Sequence, residues 1–262
     1  MYSTTRLCYH TYMKLITLNT WAGKLKEPFD NFLRERMGDT DIFCFQEVFN
    51  NYSEDSDDYI NHKDGNTNIL NDISAILTDY EAHFCPVAEN VYGIAIFLKK
   101  GIEVIRAGEV MLYSNPSYDK EDDTNDHDRK MQWIHIKQGK KDLLIMNVHG
   151  HWDASGNNDT PNRIVQSTAI NEFIESVPYT PKILVGDLNL NLNTQSITLL
   201  EKYFINLVKD HGIATTRTEL YEGADRHADY VFVSSEVFVN SFKVLPDVVS
   251  DHAPLFIDFD LF

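Results

Sequence analysis

The chain is short of cysteine, of basic residues and of long apolar stretches, and each shortage removes a class of protein. Its 262 residues hold three cysteines. Cys8, Cys44 and Cys85 lie far apart with no C-x-x-C pair, which argues against a disulfide framework or a cysteine-held zinc and for a reducing compartment, read here as cytoplasmic. Cys44, inside DIFCFQE, reads as a small buried hydrophobe. Lys and Arg number 23 against 40 Asp and Glu, a formal net charge of −17. Loose attachment to nucleic acid, which relies on cations neutralising phosphates, is therefore disfavoured. A nuclease stays open, because a bound cation reverses the local field and a site uses part of the acidity. No apolar run approaches bilayer length. Residues 1–12 (MYSTTRLCYHTY) lack the apolar core and cleavage site of a secretory signal, and no fixed-period repeat points to a solenoid or propeller.

What is present suits one globular α/β domain over 13–262, with 1–12 as an extension that reads as a disordered segment or a start-site artefact. The apolar fraction is 43%, enough for a substantial core. Alternation and short apolar runs predict strands near 13–19, 41–46, 82–85, 92–98, 102–112, 131–137, 142–148, 182–186, 228–233, 237–244 and 254–260. Helical spacing appears after Pro28, where Phe29, Phe32, Leu33 and Met37 share a face, and in NILNDISAIL, RIVQSTAINEFIESV and TQSITLLEKYF. Two acidic stretches, 50–66 and 118–130, read as solvated loops. The alternation of many short strands with few helices predicts two mixed sheets packed together with helices outside.

The chemistry-bearing residues share one placement. MKLITLNTW delivers Asn19 and DIFCFQEVF delivers Glu47 at the ends of apolar strands. NVHGHW brings His149 and His151, with His149 nearer the strand end. ILVGDLNLN places Asp187 and Asn189 two residues apart, on one side of an extended chain. HADYVFVS supplies Asp229, and SDHAP supplies Asp251 and His252 before the last strand. Singly, each is an ordinary turn or strand-end residue. Together they put carboxylates, amides and imidazoles along one edge of the predicted sandwich. A carboxylate there can take a proton from water, an Asp beside a His favours the imidazolium, and oxygen donors suit Mg²⁺.

The ordered set Asn19, Glu47, His149, Asp187-x-Asn189, Asp229 and Asp251-His252 resembles the endonuclease/exonuclease/phosphatase superfamily, the DNase I-like fold, over nearly the whole chain from Met13. The resemblance implies a four-layer α/β sandwich of two mixed β-sheets flanked by helices, and hydrolysis of phosphate esters with Mg²⁺ or Mn²⁺. It implies Glu47 as principal metal ligand with Asn19 and Asp251 nearby. Asp187 and Asn189 would act on the attacking water and phosphate, Asp229 would pair with His252, and His149 would meet the phosphoryl oxygens. Arg163 and Gln166 in NRIVQS match a helix pattern of the family, and Arg226 stands near a basic position of several relatives. Both arginines are substrate-binding candidates on that ground. The expected substrate is a phosphodiester ahead of a phosphomonoester, with nuclease, sphingomyelinase and inositol-phosphate phosphatase all open. The rival from another class is a pseudoenzyme that binds a phosphorylated partner without turnover.

Overall fold

The computed structural model describes residues 12–51, 64–88, 91–116, 127–177 and 180–261. The extension 1–12 and most of the two acidic stretches lie outside them, apart from Tyr12 and a few flanking residues.

The first half runs β1 (Met13–Asn19), α1 (Lys26–Arg36), β2 (Ile42–Phe49), α2 (Ile69–Ile76), β3 (Tyr80–Ala88), β4 (Tyr92–Lys99) and β5 (Glu103–Tyr113). It continues with β6 (Arg129–Gln138), β7 (Lys141–His149), α3 (Pro161–Ser176), β8 (Lys182–Asp187), α4 (Gln195–Leu200), β9 (Ile205–Asn206), α5 (Leu207–Asp210), β10 (Asp229–Val233), β11 (Val237–Val244) and β12 (Leu255–Leu261). These form two six-stranded mixed sheets, ordered β11-β12-β1-β2-β4-β3 and β5-β6-β7-β8-β10-β9. The parallel pairs are β1 with β2 and β7 with β8. Both lie at the middle of their sheets, where each strand is covered on both faces.

Side-chain alternation assigns the faces. In the first sheet Leu15, Ile42, Cys44, Ile96 and Leu98 join the core shared with the second sheet. Their neighbours Ile16, Leu18, Phe43, Phe45 and Phe97 instead pack with Phe29, Phe32 and Leu33 of α1 and with Ile69 and Ile73 of α2. On the second sheet, Ile170 and Ile174 of α3 and Ile197 and Leu200 of α4 join its strands. The predicted sandwich is therefore the observed one. Cys44 is fully buried, and burial pushes its thiol well above the usual range.

Local differences have local causes. The first helix begins at Lys26, so Pro28 occupies its third position, still inside the first turn where no intrahelical N–H is lost. Met37 is the C-cap rather than a core residue and is 38% exposed. The fourth predicted helix closes after Leu200. The two-residue β9 and the single turn of α5 are too short to leave a periodic pattern. Strand β2 runs on to Phe49, through a break in its register with β4 between Phe45 and Val48.

Under that break the sheets are joined by a buried polar contact. Asn147 of β7 donates to the carbonyls of Phe45 (3.1 Å) and Ala95 (3.3 Å), and its oxygen accepts from Gln46 Nε2 at 2.7 Å. Gln46 also donates to Thr17 Oγ1 at 3.1 Å. Backbone carbonyls near the bulge thus find partners across the sandwich, as buried polar groups must.

Candidate active site

The central strands end together at one edge. Asn19 continues the inward series Leu15, Thr17 and is fully buried. It donates to Glu47 Oε1 at 3.0 Å and to Asp187 Oδ2 at 2.9 Å, and its own oxygen accepts from the amide of Trp21 at 3.0 Å. Glu47 sits in the bulge with φ +58°, a left-handed conformation that a non-glycine residue adopts only under constraint. The bulge re-aims its side chain into the cleft.

The second sheet contributes His149, Asp187 and Asp229. The register sets His149 opposite Asp187 on β7 and β8, and Asp187 opposite Asp229 on β8 and β10. Gly186 precedes Asp187 with φ +128°, and a Cβ there would stand 2.1 Å from the Val148 carbonyl oxygen. Only glycine allows β7 and β8 to approach so closely at the site. After Asp187 the chain turns: Asn189 has φ +52° and its amide donates to Asp187 Oδ1 at 2.8 Å, an Asx turn. Asp187 and Asn189 thus share the cleft through a turn rather than through an extended chain.

His252 enters from the loop before β12. Its Nδ1 lies 2.9 Å from both oxygens of Asp229, a contact that requires Nδ1 to carry the proton. Its Nε2 stands 3.7 Å from Asp187 Oδ2 and 3.9 Å from Asp251 Oδ1. His149 Nε2 lies 3.8 Å from both Glu47 and Asp187. A cavity of about 420 Å³ opens over these groups, with Trp21, Trp152 and Tyr221 among its walls.

The two imidazoles are driven apart electrostatically. Burial, helped by the nearby Arg129 charge, pulls His149 down to about 4, so it is neutral at neutral pH. Burial acts on His252 in the same direction, but Asp229, Asp187 and Asp251 overcome it and raise the ring to about 9, so it is cationic. Burial pushes Asp187 up, yet His252, His149, Arg217 and the Asn19 amide hold it below the usual carboxylate range. Asp251 is pushed up by burial, then by Glu47 and Asp187 beside it.

Crowded carboxylates with an amide oxygen nearby are a donor set that fits a divalent cation preferring oxygen. Asp187, Asp229 and His252 also offer one ligand atom each within 4.8 Å of one another. In that trio Nδ1 of His252 is already bound to Asp229, which suits proton relay better than metal ligation.

Asn19, Glu47, His149, Asp187, Asn189, Asp229, Asp251 and His252 thus gather around one cleft. His151 does not: its ring packs edge-on against Tyr113 and its amide donates to Gln166 Oε1 at 2.8 Å. Arg163 is fully buried and donates to the carbonyls of His151, Gly156 and Asn158. It shapes the loop carrying Trp152 and leaves the cavity wall to others. Arg226 is exposed and absent from the lining; its carbonyl accepts from Thr216 and Thr215. Neither arginine is among the residues that line the cavity.

Two other arginines line the cavity: Arg129 at the start of β6, and Arg217. Arg217 Nη1 lies against His252 Nε2, two donors face to face while the ring is protonated, and 3.5 Å from Asp251 Oδ2. In sequence, Arg129 merges with an acidic stretch and Arg217 stands in the irregular segment TTRTE. Neither follows a strand, which is the signal that found the others.

Solved structures of similar fold cover almost the whole chain. A mannosyl-6-phosphatase from Bacteroides thetaiotaomicron matches with TM-score 0.71 at 18% identity, over 95% of this chain and 100% of its own. A humanized TDP2 from D. rerio matches with TM-score 0.73 at 14% identity, over 95% and 99%. The human Nocturnin catalytic domain with bound sulfate anion matches with TM-score 0.68 at 16% identity, over 96% and 94%. No curated protein matches the chain by sequence. The model of the Endonuclease/Exonuclease/phosphatase family matches residues 16–252, a span that holds every residue of the cleft described above, and the chain belongs to that family.

Proposed function

We propose that the cleft hydrolyses phosphate esters with a divalent metal ion, and that its substrate is a diester. The observation that carries this reading is the position of Asp187. It is a buried, ionised carboxylate bonded to Asn19 of the other sheet, with the neutral His149 of its own sheet and the cationic His252 of the loop before β12 within 4 Å. Two imidazoles of opposite protonation beside one carboxylate separate the acid, base and hydrogen-bonding roles.

Asp187 takes a proton from the attacking water, and the Asn189 amide orients that water or a phosphoryl oxygen. His149 donates a neutral hydrogen bond to a phosphoryl oxygen. His252, held by Asp229, presents its Nε2 proton to the charge that develops on phosphate or leaving oxygen. Glu47, Asn19 and Asp251 would hold Mg²⁺, or Mn²⁺ in its place, which when bound activates water and offsets phosphoryl charge. The cavity exceeds the needs of a bare phosphate, and its indole and phenol walls suit organic substituents on the ester. The acidic chain as a whole does not favour sequence-independent grip on nucleic acid.

The test is a panel of DNA, sphingomyelin, inositol phosphates, a sugar 6-phosphate and aryl phosphodiesters, each assayed with Mg²⁺, with Mn²⁺ and with chelator. Metal-dependent cleavage of a diester is the expected result. Cleavage of monoesters alone would overturn the diester assignment. Phosphate binding without hydrolysis of any ester would make the protein a pseudoenzyme.

A further inference from the structure

We propose that Arg217 is a phosphate-binding residue of this cleft, gripping an anionic oxygen of the ester group. The inference rests on the phosphoesterase reading for the identity of the ester, but the anion site itself is argued from geometry.

The backbone around Arg217 is stitched to two other segments. Thr216 N donates to the Arg226 carbonyl at 2.9 Å, its carbonyl accepts from Ala253 N at 2.9 Å, and its hydroxyl accepts from the amides of Ala228 (3.1 Å) and Asp229 (3.2 Å). Thr218 N donates to the Asp251 carbonyl at 3.0 Å and its hydroxyl to the Ser250 carbonyl at 2.7 Å. Arg217 itself pairs as an isolated bridge with His252. A side chain on such a base is carried with the same frame as the Asp229–His252 pair.

The guanidinium is nearly enclosed, with the side chain 6% exposed, yet it lines the cavity. The Tyr221 ring lies under it at 4.0 Å and fixes its plane. Nη1 meets His252 Nε2, while Nε is buried with no hydrogen bond among the described residues. Burying a guanidinium with donors unused is unfavourable unless an acceptor arrives. Asp251 is close to Nη1 at 3.5 Å, but it is also a proposed metal ligand, so an incoming cation competes for its oxygens. The acceptor that fits a planar fork beside an imidazole nitrogen is an oxyanion with more than one oxygen, and phosphate is the one this cleft would meet. Lysine, a point charge on a flexible stem, cannot reproduce the fork.

The experiment is calorimetric titration of the intact protein with inorganic phosphate, with and without Mg²⁺, alongside thermal melting. The wild type should bind phosphate, and Arg217→Met should weaken it about ten- to hundred-fold, the range for losing a charged hydrogen bond. Arg217→Lys should recover only part of that loss, and added guanidinium at millimolar concentration should restore binding to Arg217→Ala. If Arg217→Met does not fold, the comparison passes to Arg217→Lys, which keeps the charge. Wild-type protein that binds no phosphate, or variants that bind it as the wild type does, would overturn the assignment. Phosphate binding that depends on Arg217 without hydrolysis of any ester leaves the site standing and removes the phosphoesterase reading. Hydrolysis that persists while Arg217 variants bind phosphate normally does the reverse.

Discussion

At the scale of single residues, the site's chemistry depends on what neighbours do to each charge. Asp187 is kept ionised in a buried position by the His252 imidazolium, Arg217 and the Asn19 amide, so Asp187→Asn keeps the shape and removes the proposed proton acceptor. Turnover should fall by about 100- to 10,000-fold with KM little changed, as steady-state kinetics on the best diester will show. Near-normal turnover would move the base elsewhere. His252 is raised to about 9 because Asp229, Asp187 and Asp251 outweigh its burial. A raised folded value means that the imidazolium persists below about pH 9 and is lost as pH rises through it, so activity that needs it has its alkaline limb there. Asp229→Asn should move that limb to lower pH in a pH-rate profile, and a limb left in place would show that Asp229 does not govern it. These residues were legible in the sequence because each stands at the end of an apolar strand. Arg217 was not, since nothing local marks a residue in TTRTE as facing a site built elsewhere.

At the scale of elements, strands place the site and loops with their caps complete it. Helix α3 starts with Pro161 at its first position, and the Thr160 hydroxyl accepts from the Arg163 amide at 3.4 Å. Arg163 then reaches back to three carbonyls of the loop 151–158, so the helix start and the cavity wall form one unit. The next helix, α4, is tied to that loop through Asp159, which accepts from the amides of Gln195 (2.6 Å) and Ser196 (3.0 Å) and from the Ser196 hydroxyl (2.6 Å). Burial opposes these bonds, but together they hold the Asp159 carboxyl below the usual range. Asp159→Ala should lower stability by about 1 kcal/mol, the common value of a helix-capping carboxylate, read as a shift in the urea midpoint. Because the folded value is depressed, this contribution is present above the ordinary carboxylate range near 4 and disappears as pH falls through the folded value. Wild type and variant should therefore converge in acid, and a constant gap at all pH values would contradict the assignment.

At the scale of the whole molecule, the site depends on how one sheet is held against the other. Asn147 binds the carbonyls of Phe45 and Ala95 beside the bulge that turns Glu47 into the cleft. Asn147→Leu removes those bonds and deprives Gln46 of its shortest one, which should cost about 2 to 4 kcal/mol by denaturant titration. It should also reduce activity in the fraction that stays folded, because Glu47 loses its support; full activity per folded molecule would separate the contact from the site. The sequence by itself determined the elements: periodicity marked the strands and long helices, and polar strand ends marked Asn19, Glu47, His149, Asp187, Asn189, Asp229, Asp251 and His252. Those signals are local, set by side-chain alternation and by the burial of apolar strands. The tertiary structure alone decided the rest. Strand register set His149, Asp187 and Asp229 side by side. The bulge in β2 aimed Glu47, packing in the loops turned His151 and Arg163 away from the cleft, and the segments at 226–229 and 250–253 closed on the one that carries Arg217. Each of these depends on which backbone groups meet across the sandwich, a long-range pairing that carries no signature in the residues between.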